Sequence, residues 1–212
     1  MIPGETAFGY VPIDLLRLLL ETIGTVDDGP IPHYSDFESL YAAFRKRMER
    51  RLEEFHAQAD TAFIGTKTSP LISLLVKDCI ERARGYHDGG ARYRVLAPHA
   101  GGLPDTANSL YALKKIIFEQ KRLPFKEMIQ CLRNDWHGHE DLRRKIIADL
   151  TLYGNGSPEA DSMARRVFDD FLSIAGRVHD RRGVLRPPGV STFGREIEWR
   201  PQRSATPDGH RK

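Results

Sequence analysis

The side chains that could do chemistry in this sequence are two cysteines, a pair of histidines and a few isolated polar groups. Cys79 and Cys131 form neither a disulfide framework nor a zinc signature, and both lie among apolar residues at helical spacing. That setting is typical of buried structural cysteine. His137 and His139 share a turn, but without a carboxylate or cysteine at fixed spacing they indicate solvated histidines rather than a metal site. These residues therefore predict no catalytic group, no metal site and no cofactor-binding site.

Helices are the elements that must position these side chains. Residues 13–23 are apolar on most helical faces, so we expect a helix that is buried against more than one neighbour. Apolar residues at spacings of three and four predict the longest helix over residues 37–62, with Ser35 and Glu38 as a capping box. Residues 71–80 continue an apolar helical face, Cys79 included, and we expect this face to be buried.

Strands are few in this sequence. Residues 91–97 alternate enough to predict one strand, whereas the first dozen residues are rich in proline and glycine and are typical of turns. The apolar pattern fades after residue 178, apart from a strand-like piece near residues 197–200. We therefore predict a mostly helical α/β chain with a few short strands, comprising a helical domain over residues 1–178 and a loop-rich tail over residues 179–212.

The composition is that of a globular protein without a strongly charged surface. Lys and Arg total 32 against 29 Asp and Glu, which leaves a net charge of +3. The basic run at residues 45–51 is interleaved with glutamates, as on a solvated helix face, so we expect no nucleic-acid partner. The longest apolar run, residues 15–20, contains Arg17 and is too short to span a bilayer, and Met1 is followed by no signal-peptide pattern. We expect a cytoplasmic protein with no membrane partner.

Six segments of the sequence resemble short motifs that occur together in one order. Residues 89–93 (Gly-Gly-Ala-Arg-Tyr) are similar to a Gly-Gly-Ala-x-Tyr strand, and residues 107–119 to an Ala-Asp-Ser-Leu-x-Ala-Ile-Lys-Lys helix. Residues 205–212 are similar to an Ala-Thr-Pro-Asp-Gly-Arg-Lys loop with His210 inserted. The other three segments are residues 97–102, 132–143 and 153–155. Together they resemble the glycyl radical enzymes, the family of pyruvate formate-lyase and related dehydratases.

This resemblance implies radical chemistry. In the family, a cysteine in a Gly-Cys-x-Glu loop takes hydrogen from a substrate carbon held close to it, and a glycine in an Arg-Val-x-Gly motif stores the radical. Neither motif occurs in this sequence. Residues 2–4 and 15–21 are similar to the stretch that follows the cysteine, so we expect the cysteine before Met1 and the glycine beyond Lys212. The resemblance thus implies an internal piece of the family's ten-stranded α/β barrel.

The resemblance also implies where a substrate pocket would lie. The family lines its cavity with side chains that follow the cysteine and with others in the loop after an inner barrel strand. The corresponding candidates in this sequence are Phe8, Gly9, Tyr10, Asp14 and His99. An aspartate there could bind a substrate hydroxyl or ammonium group. The alternatives are that Asp14 caps the following helix and that backbone groups satisfy His99.

Partners follow from the same resemblance. The intact enzyme takes a small-molecule substrate and a separate iron–sulfur, S-adenosylmethionine activating enzyme, which installs the organic glycyl radical; the chain itself binds no cofactor. We expect a partial glycyl radical enzyme, nearer the dehydratase and lyase branch, that cleaves C–C, C–O or C–N bonds when intact and is inactive alone. The alternatives are a stand-alone helical interaction or scaffold protein, and one component of a split enzyme that binds the missing parts.

Missing parts would leave surfaces uncovered. We expect the helix at residues 13–23 to present unpartnered apolar surface, and residues 2–12 and 181–212 to be weakly packed. Exposed apolar surface of that kind favours association.

Overall fold

The computed structural model describes residues 4–65, 67–191 and 196–212. Ile2 and Pro3 of the expected turn-like start, and residues 192–195 of the expected tail, lie outside these ranges. Helices and short strands together make the chain an α/β protein. The elements in chain order are β1 (Thr6–Asp14), α1 (Leu15–Ile23), α2 (Phe37–Ala59), α3 (Pro70–Leu75), a 3-10 turn (Tyr86–Asp88), β2 (Tyr93–Gly101), α4 (Leu103–Leu113), a π-helical turn (Lys114–Glu119), α5 (Phe125–Arg133), α6 (Glu140–Asp149), α7 (Pro158–Ala175), β3 (Asp180–Arg181), β4 (Val184–Leu185), β5 (Gly189–Ser191), α8 (Glu196–Trp199) and a 3-10 turn (Arg200–Gln202).

The chain divides into two compact units. Unit 1 comprises Met1–Ile13, Glu49–His99 and Leu172–Gly189, and unit 2 comprises Asp14–Met48, Ala100–Phe171 and Val190–Lys212. The boundary expected at residue 178 stays a prediction.

Unit 1 is organised around a small mixed sheet with the strand order β1-β2-β4-β3. Strand β2 pairs with β4 in parallel, with Val95 opposite Leu185, and β3 pairs with β4 antiparallel. The expectation of turns at the start of the chain is wrong for residues 6–12, which lie in β1. Ile13 and Asp14, expected at the start of the helix, are the last two residues of this strand. Proline and glycine suggested turns there, but pairing with a neighbouring strand decides the conformation of such a segment more strongly than local propensity does.

The strand predicted over residues 91–97 is present as β2, although it begins at Tyr93 and continues to Gly101. The expectation of strand near residues 197–200 is wrong, because they lie in α8 and the 3-10 turn that follows it. Four residues carry too short a pattern to distinguish the two conformations.

Unit 2 is mainly helical, and α1 is its most completely buried helix. The Asp14 side chain caps its first turn, and Gly24 ends it in the left-handed conformation (φ 77°) while donating its N–H to the Leu20 carbonyl. Helix α1 packs against α4. Its apolar side chains are enclosed, with Leu19 and Ile23 at 0% exposure. The expectation that this helix presents unpartnered surface is therefore wrong.

Helix α2 is the longest helix in the described part of the chain, as predicted. Its cap is not the expected one. The Asp36 carboxylate, rather than Ser35, accepts the Ser39 N–H at 2.7 Å, and the Glu38 side chain pairs with Arg166 instead of folding back on the cap. A carboxylate at this position is at least as good an acceptor as a hydroxyl and adds charge at the positive end of the helix.

The apolar face expected over residues 71–80 is not buried. Leu71, Leu74, Leu75 and Ile80 are 64–73% exposed. Helix α3 ends at Leu75, so its register does not continue to Cys79, which lies in a turn rather than on a helix. The buried cysteine and the exposed leucines therefore belong to different local structures.

The expectation of a weakly packed tail is wrong for residues 203–209. Ala205, Thr206 and Asp208 are at most 4% exposed, although much of the described tail before them is exposed. No helix in the described ranges has the length and apolar character that crossing a bilayer requires.

Candidate functional site

Strands β1 and β2 bring three of the five candidate pocket residues together in unit 1. The Tyr10 ring stacks on the His99 imidazole with centroids 5.0 Å apart and planes 22° apart. Phe8 lies two residues before Tyr10 on the same strand face, 6.3 Å from it between ring centroids. The Phe8 N–H donates to the Tyr86 hydroxyl at 2.8 Å. We call Phe8, Tyr10 and His99 the aromatic face.

His99 is the chemically versatile member of the aromatic face. Its Nδ1 is buried and has no hydrogen-bond partner among the described residues. Burial lowers the pKa of the imidazole, so the ring is neutral at neutral pH. A neutral imidazole carries one N–H donor and one acceptor nitrogen. His99 can therefore exchange a hydrogen bond with a hydroxyl group without carrying charge.

Gly189 is a residue of this site that sequence analysis missed. A Cβ on Gly189 would lie 2.9 Å from His99 Nε2 and 3.0 Å from its Cδ2, closer than side-chain carbons approach. The glycine therefore keeps the Nε2 edge of the ring free of a side chain. Its sequence setting, Pro187-Pro188-Gly189, indicated only a turn.

Gly9 is placed differently from its neighbours on β1. A Cβ on Gly9 would lie 3.0 Å from Leu96 Cδ1, so this position points toward β2 and not along the aromatic face. The lack of a side chain at Gly9 leaves room for the Leu96 side chain.

Asp14 belongs to unit 2, where both of its carboxylate oxygens are engaged. Oδ1 accepts the Arg17 N–H at 3.1 Å and an Arg203 Nη2 hydrogen bond at 2.7 Å, while Oδ2 accepts from Arg203 Nε at 3.1 Å. The side chains of Asp14 and Arg203 are 12% and 6% exposed. The structure thus confirms the alternative that Asp14 caps α1, and it adds a bidentate pair with a tail arginine that the sequence did not predict.

The two cysteines are buried, as predicted. Cys79 and Cys131 are 3% and 0% exposed, and burial raises the pKa of both thiols. A buried thiol with a raised pKa is disfavoured as a thiolate and is unreactive. Neither cysteine therefore has the setting of a nucleophile.

The histidine pair lies in the turn before α6. His137 and His139 are both exposed, and His137 Nδ1 contacts the Asn134 carbonyl at 2.8 Å. No group of three or more potential metal-ligating side chains occurs among residues 4–65, 67–191 and 196–212.

A second polar cluster in unit 1 also escaped sequence analysis. Arg186 is fully buried and donates to the His56 carbonyl at 2.9 Å and to Asp60 Oδ1 at 2.6 Å. Arg181 pairs with the other Asp60 oxygen at 2.7 Å. Burial, followed by the charges of Arg186 and Arg181, lowers the pKa of His56. These contacts connect β3 and the residue after β4 to the end of α2, so we interpret the cluster as structural.

The closing loop of unit 2 is organised by one buried carboxylate. Asp208 accepts hydrogen bonds from Thr206 and Ser109, and its Oδ2 lies 3.2 Å from His210 Nδ1. The hydrogen bond to Asp208 raises the pKa of His210. The loop is therefore held by internal polar contacts, which explains why residues 205–208 are packed.

Comparison with known proteins identifies the family. A family model described as pyruvate formate lyase-like matches residues 21–199. The (2S)-3-sulfopropanediol dehydratase of Klebsiella oxytoca is 28% identical over 191 residues, which are 88% of this chain and 23% of that enzyme. The chain therefore spans about a quarter of the length of this curated relative.

Solved structures agree with the sequence comparison. A structure on 1,2-propanediol dehydration in Roseburia inulinivorans superposes with a TM-score of 0.82 and 26% identity, over 99% of this chain and 29% of that one. The glycerol-bound B12-independent glycerol dehydratase from Clostridium butyricum superposes with a TM-score of 0.81 and 25% identity, over 99% and 28%. The family model covers well over half of the sequence, and the fold agrees with solved dehydratases. The chain belongs to the pyruvate formate lyase-like family.

Proposed function

We propose that this chain is one part of a glycyl radical enzyme of the dehydratase type, and that it forms a section of the family's α/β barrel. The observation that carries the proposal is the family match over residues 21–199 in a chain that spans only about a quarter of its relatives. The mixed sheet of unit 1 supplies strands that suit a barrel wall, and its aromatic face would look toward the cavity. The rest of the wall would come from polypeptide outside these residues.

The aromatic face is the proposed contribution to substrate binding. Tyr10 stacks on His99, Gly189 places no side chain against the Nε2 edge of the imidazole, and the neutral ring would exchange a hydrogen bond with a substrate hydroxyl. The relatives named above are a sulfopropanediol dehydratase and a glycerol dehydratase, so the proposed substrate is a small polyhydroxylated molecule. Phe8 and Tyr10 would also restrict access of water to the site.

The radical chemistry is assigned to other parts of the enzyme. In the family it needs a cysteine and a glycine in motifs that this sequence does not contain, and Cys79 and Cys131 are buried structural thiols. An iron–sulfur, S-adenosylmethionine activating enzyme would install a radical on the glycine, and the radical would pass to the cysteine, which would take the hydrogen atom whose removal starts dehydration. No residue of this chain is assigned to carry the radical, so the chain is proposed to be inactive alone.

Electron paramagnetic resonance tests this assignment. The purified 212-residue chain is incubated anaerobically with a glycyl radical activating enzyme, S-adenosylmethionine and reductant, with an intact dehydratase as the positive control. The expected result is an organic radical signal in the control and none on this chain. A stable organic radical on this chain would contradict the assignment.

A second candidate function is supported by a separate observation. The apolar side chains of helix α1 are buried and residues 205–208 are packed, so these parts of the chain are covered by its own residues. Such a chain could act as one component of a split enzyme or as a stand-alone interaction protein. The reading frames next to its gene distinguish these cases, because a split enzyme requires a Gly-Cys-x-Glu motif upstream or an Arg-Val-x-Gly motif downstream. The absence of both motifs from the neighbouring reading frames would favour the stand-alone protein.

A further inference from the structure

A short segment of unit 1 turns large apolar side chains toward solvent. Its members are on α3 and the turn after it, within ten consecutive residues, and we call them the α3 segment. Helix α3 buries none of its residues. The exposed fractions are 71% for Leu71, 44% for Ile72, 64% for Leu74, 73% for Leu75 and 65% for Ile80.

The segment is held firmly in this orientation. Val76 and Cys79 point inward and pack with Ala7 and Ala91. The Ser73 hydroxyl donates to the Ser69 carbonyl at 2.8 Å and accepts the Tyr86 N–H at 2.9 Å. The leucines therefore face solvent because hydrogen bonds fix the local backbone, and Val76 and Cys79 occupy the inward-facing positions.

Exposure of these large apolar side chains to water is energetically unfavourable. Clusters of large exposed apolar side chains mark interaction sites in soluble proteins. The α3 segment alone supplies far fewer residues than the roughly 20–30 per partner of a stable interface, so a second copy of the chain would bind weakly through it. A partner that continues the same fold can bury the segment as part of a larger contact.

Two observations point to such a partner. The structural match covers 99% of this chain but only 28–29% of the two solved chains. Most of the fold of those chains therefore lies outside these 212 residues. Gly4, the first described residue, lies beside the segment, because its carbonyl accepts the Lys77 N–H at 2.7 Å. The described part of the chain therefore begins beside the end of α3, where Leu75 is exposed.

We propose that the α3 segment is the docking surface for polypeptide of the same glycyl radical fold that lies outside these 212 residues. The inference rests on the proposed function and specifies the partner and the surface.

Photo-crosslinking in the producing cell tests the partner. A photoreactive phenylalanine analogue replaces Leu74, and in a matched control it replaces Arg165, whose side chain is 83% exposed. The crosslinked peptide is then mapped by mass spectrometry. The expected peptide from position 74 has a glycyl radical enzyme sequence from outside these 212 residues, with little crosslinking at position 165. Crosslinks to copies of this chain, to an unrelated protein or to nothing would each overturn the inference.

Thiol labelling provides an independent measurement that avoids the bulky analogue. Leu74→Cys is labelled with a maleimide in the protein isolated from the cell and in the purified 212-residue chain, with Arg165→Cys as the control. Labelling at position 74 should be slower in the cellular protein by more than about tenfold, as expected for a protected site. Equal rates would overturn the inference. If the cellular protein still carried an activatable radical, only the docking surface would be wrong and the proposed function would stand.

Discussion

Two apolar segments with similar sequence character have opposite surroundings in this protein. Helix α1 encloses its leucines, with Leu19 and Leu20 at 0% exposure, whereas Leu74 and Leu75 in the α3 segment are 64% and 73% exposed. The difference lies in their partners. Helix α1 has a cap, a C-terminal glycine and the face of α4 within unit 2, and the α3 segment buries only Val76 and Cys79 within unit 1.

The contrast shows what an apolar pattern can and cannot predict. Both patterns predict a surface that is buried somewhere. Only the structure tells whether the burying partner belongs to this chain, and for α1 it does. The α3 segment has an apolar pattern that its own unit does not bury, and the proposed partner outside these residues would bury it.

The largest expected effect is in α1. Leu19→Ala removes a fully buried side chain and should lower the free energy of unfolding by about 2–5 kcal/mol, because it leaves a cavity. Chemical denaturation of the purified chain measures the change. A loss below about 0.5 kcal/mol, the size of a surface effect, would mean that α1 is not enclosed in solution.

Asp14→Ala should have the next largest effect. It removes the cap of α1 and leaves the Arg203 guanidinium without its bidentate partner in a nearly buried site. Because the pair retains slight exposure, we expect a loss of about 2–4 kcal/mol, somewhat below that for a fully buried pair.

Asp141→Ala is the matched control for that change. Its side chain is 93% exposed, and its ion pair with Arg144 should contribute about 0–1 kcal/mol. Equal losses for the two variants would show that the Asp14–Arg203 pair is a surface pair in solution.

His56 should contribute part of the pH dependence of unit 1, in addition to His99, whose pKa burial also lowers. Burial and the nearby arginines lower the pKa of His56 in the folded state below its ordinary value near 6.5. The unfolded chain therefore binds the proton first, so the contribution is fully present above about pH 6.5 and is lost as pH falls through the lowered folded pKa. Unfolding midpoints across this range should fall less steeply for His56→Gln than for the parent. The exposed His137→Gln is the control, and an equal slope in parent and His56→Gln would contradict the assignment.

The smallest expected effect is in the α3 segment. Leu74→Ala should change the free energy of unfolding of the isolated chain by no more than about 0.5 kcal/mol, because an exposed leucine gains little from folding. The measurement is the same denaturation as for Leu19→Ala. A loss as large as that of Leu19 would show that the chain already covers the segment, by self-association or by a different local fold.

Elements with long periodic patterns were predictable from the sequence. Helices α1 and α2 and the strand β2 follow from residue spacing, and the buried cysteines follow from their apolar surroundings. Strand β1 did not, because its pairing with β2 is a contact between residues far apart in sequence.

The candidate site was predictable only in part. The resemblance pointed to Phe8, Tyr10 and His99, and the structure places these three together. Gly189 and Arg203 come from the tail, where proline, glycine and arginine suggested loops, and their roles depend on approaches of more than eighty residues in sequence. No local signal marks a glycine that must be small because a distant ring lies against it.

The most direct test of the central claim is the native mass of the protein isolated from the organism that makes it. Native mass spectrometry, followed by peptide mapping of every component, would measure what polypeptide accompanies this sequence. We predict a species whose mass is well above the 24.1 kDa of these 212 residues. The added polypeptide should carry a Gly-Cys-x-Glu motif and an Arg-Val-x-Gly motif. A monodisperse species of 212 residues alone, stable with the α3 segment open to solvent, would contradict the claim that this chain works as part of a larger glycyl radical enzyme.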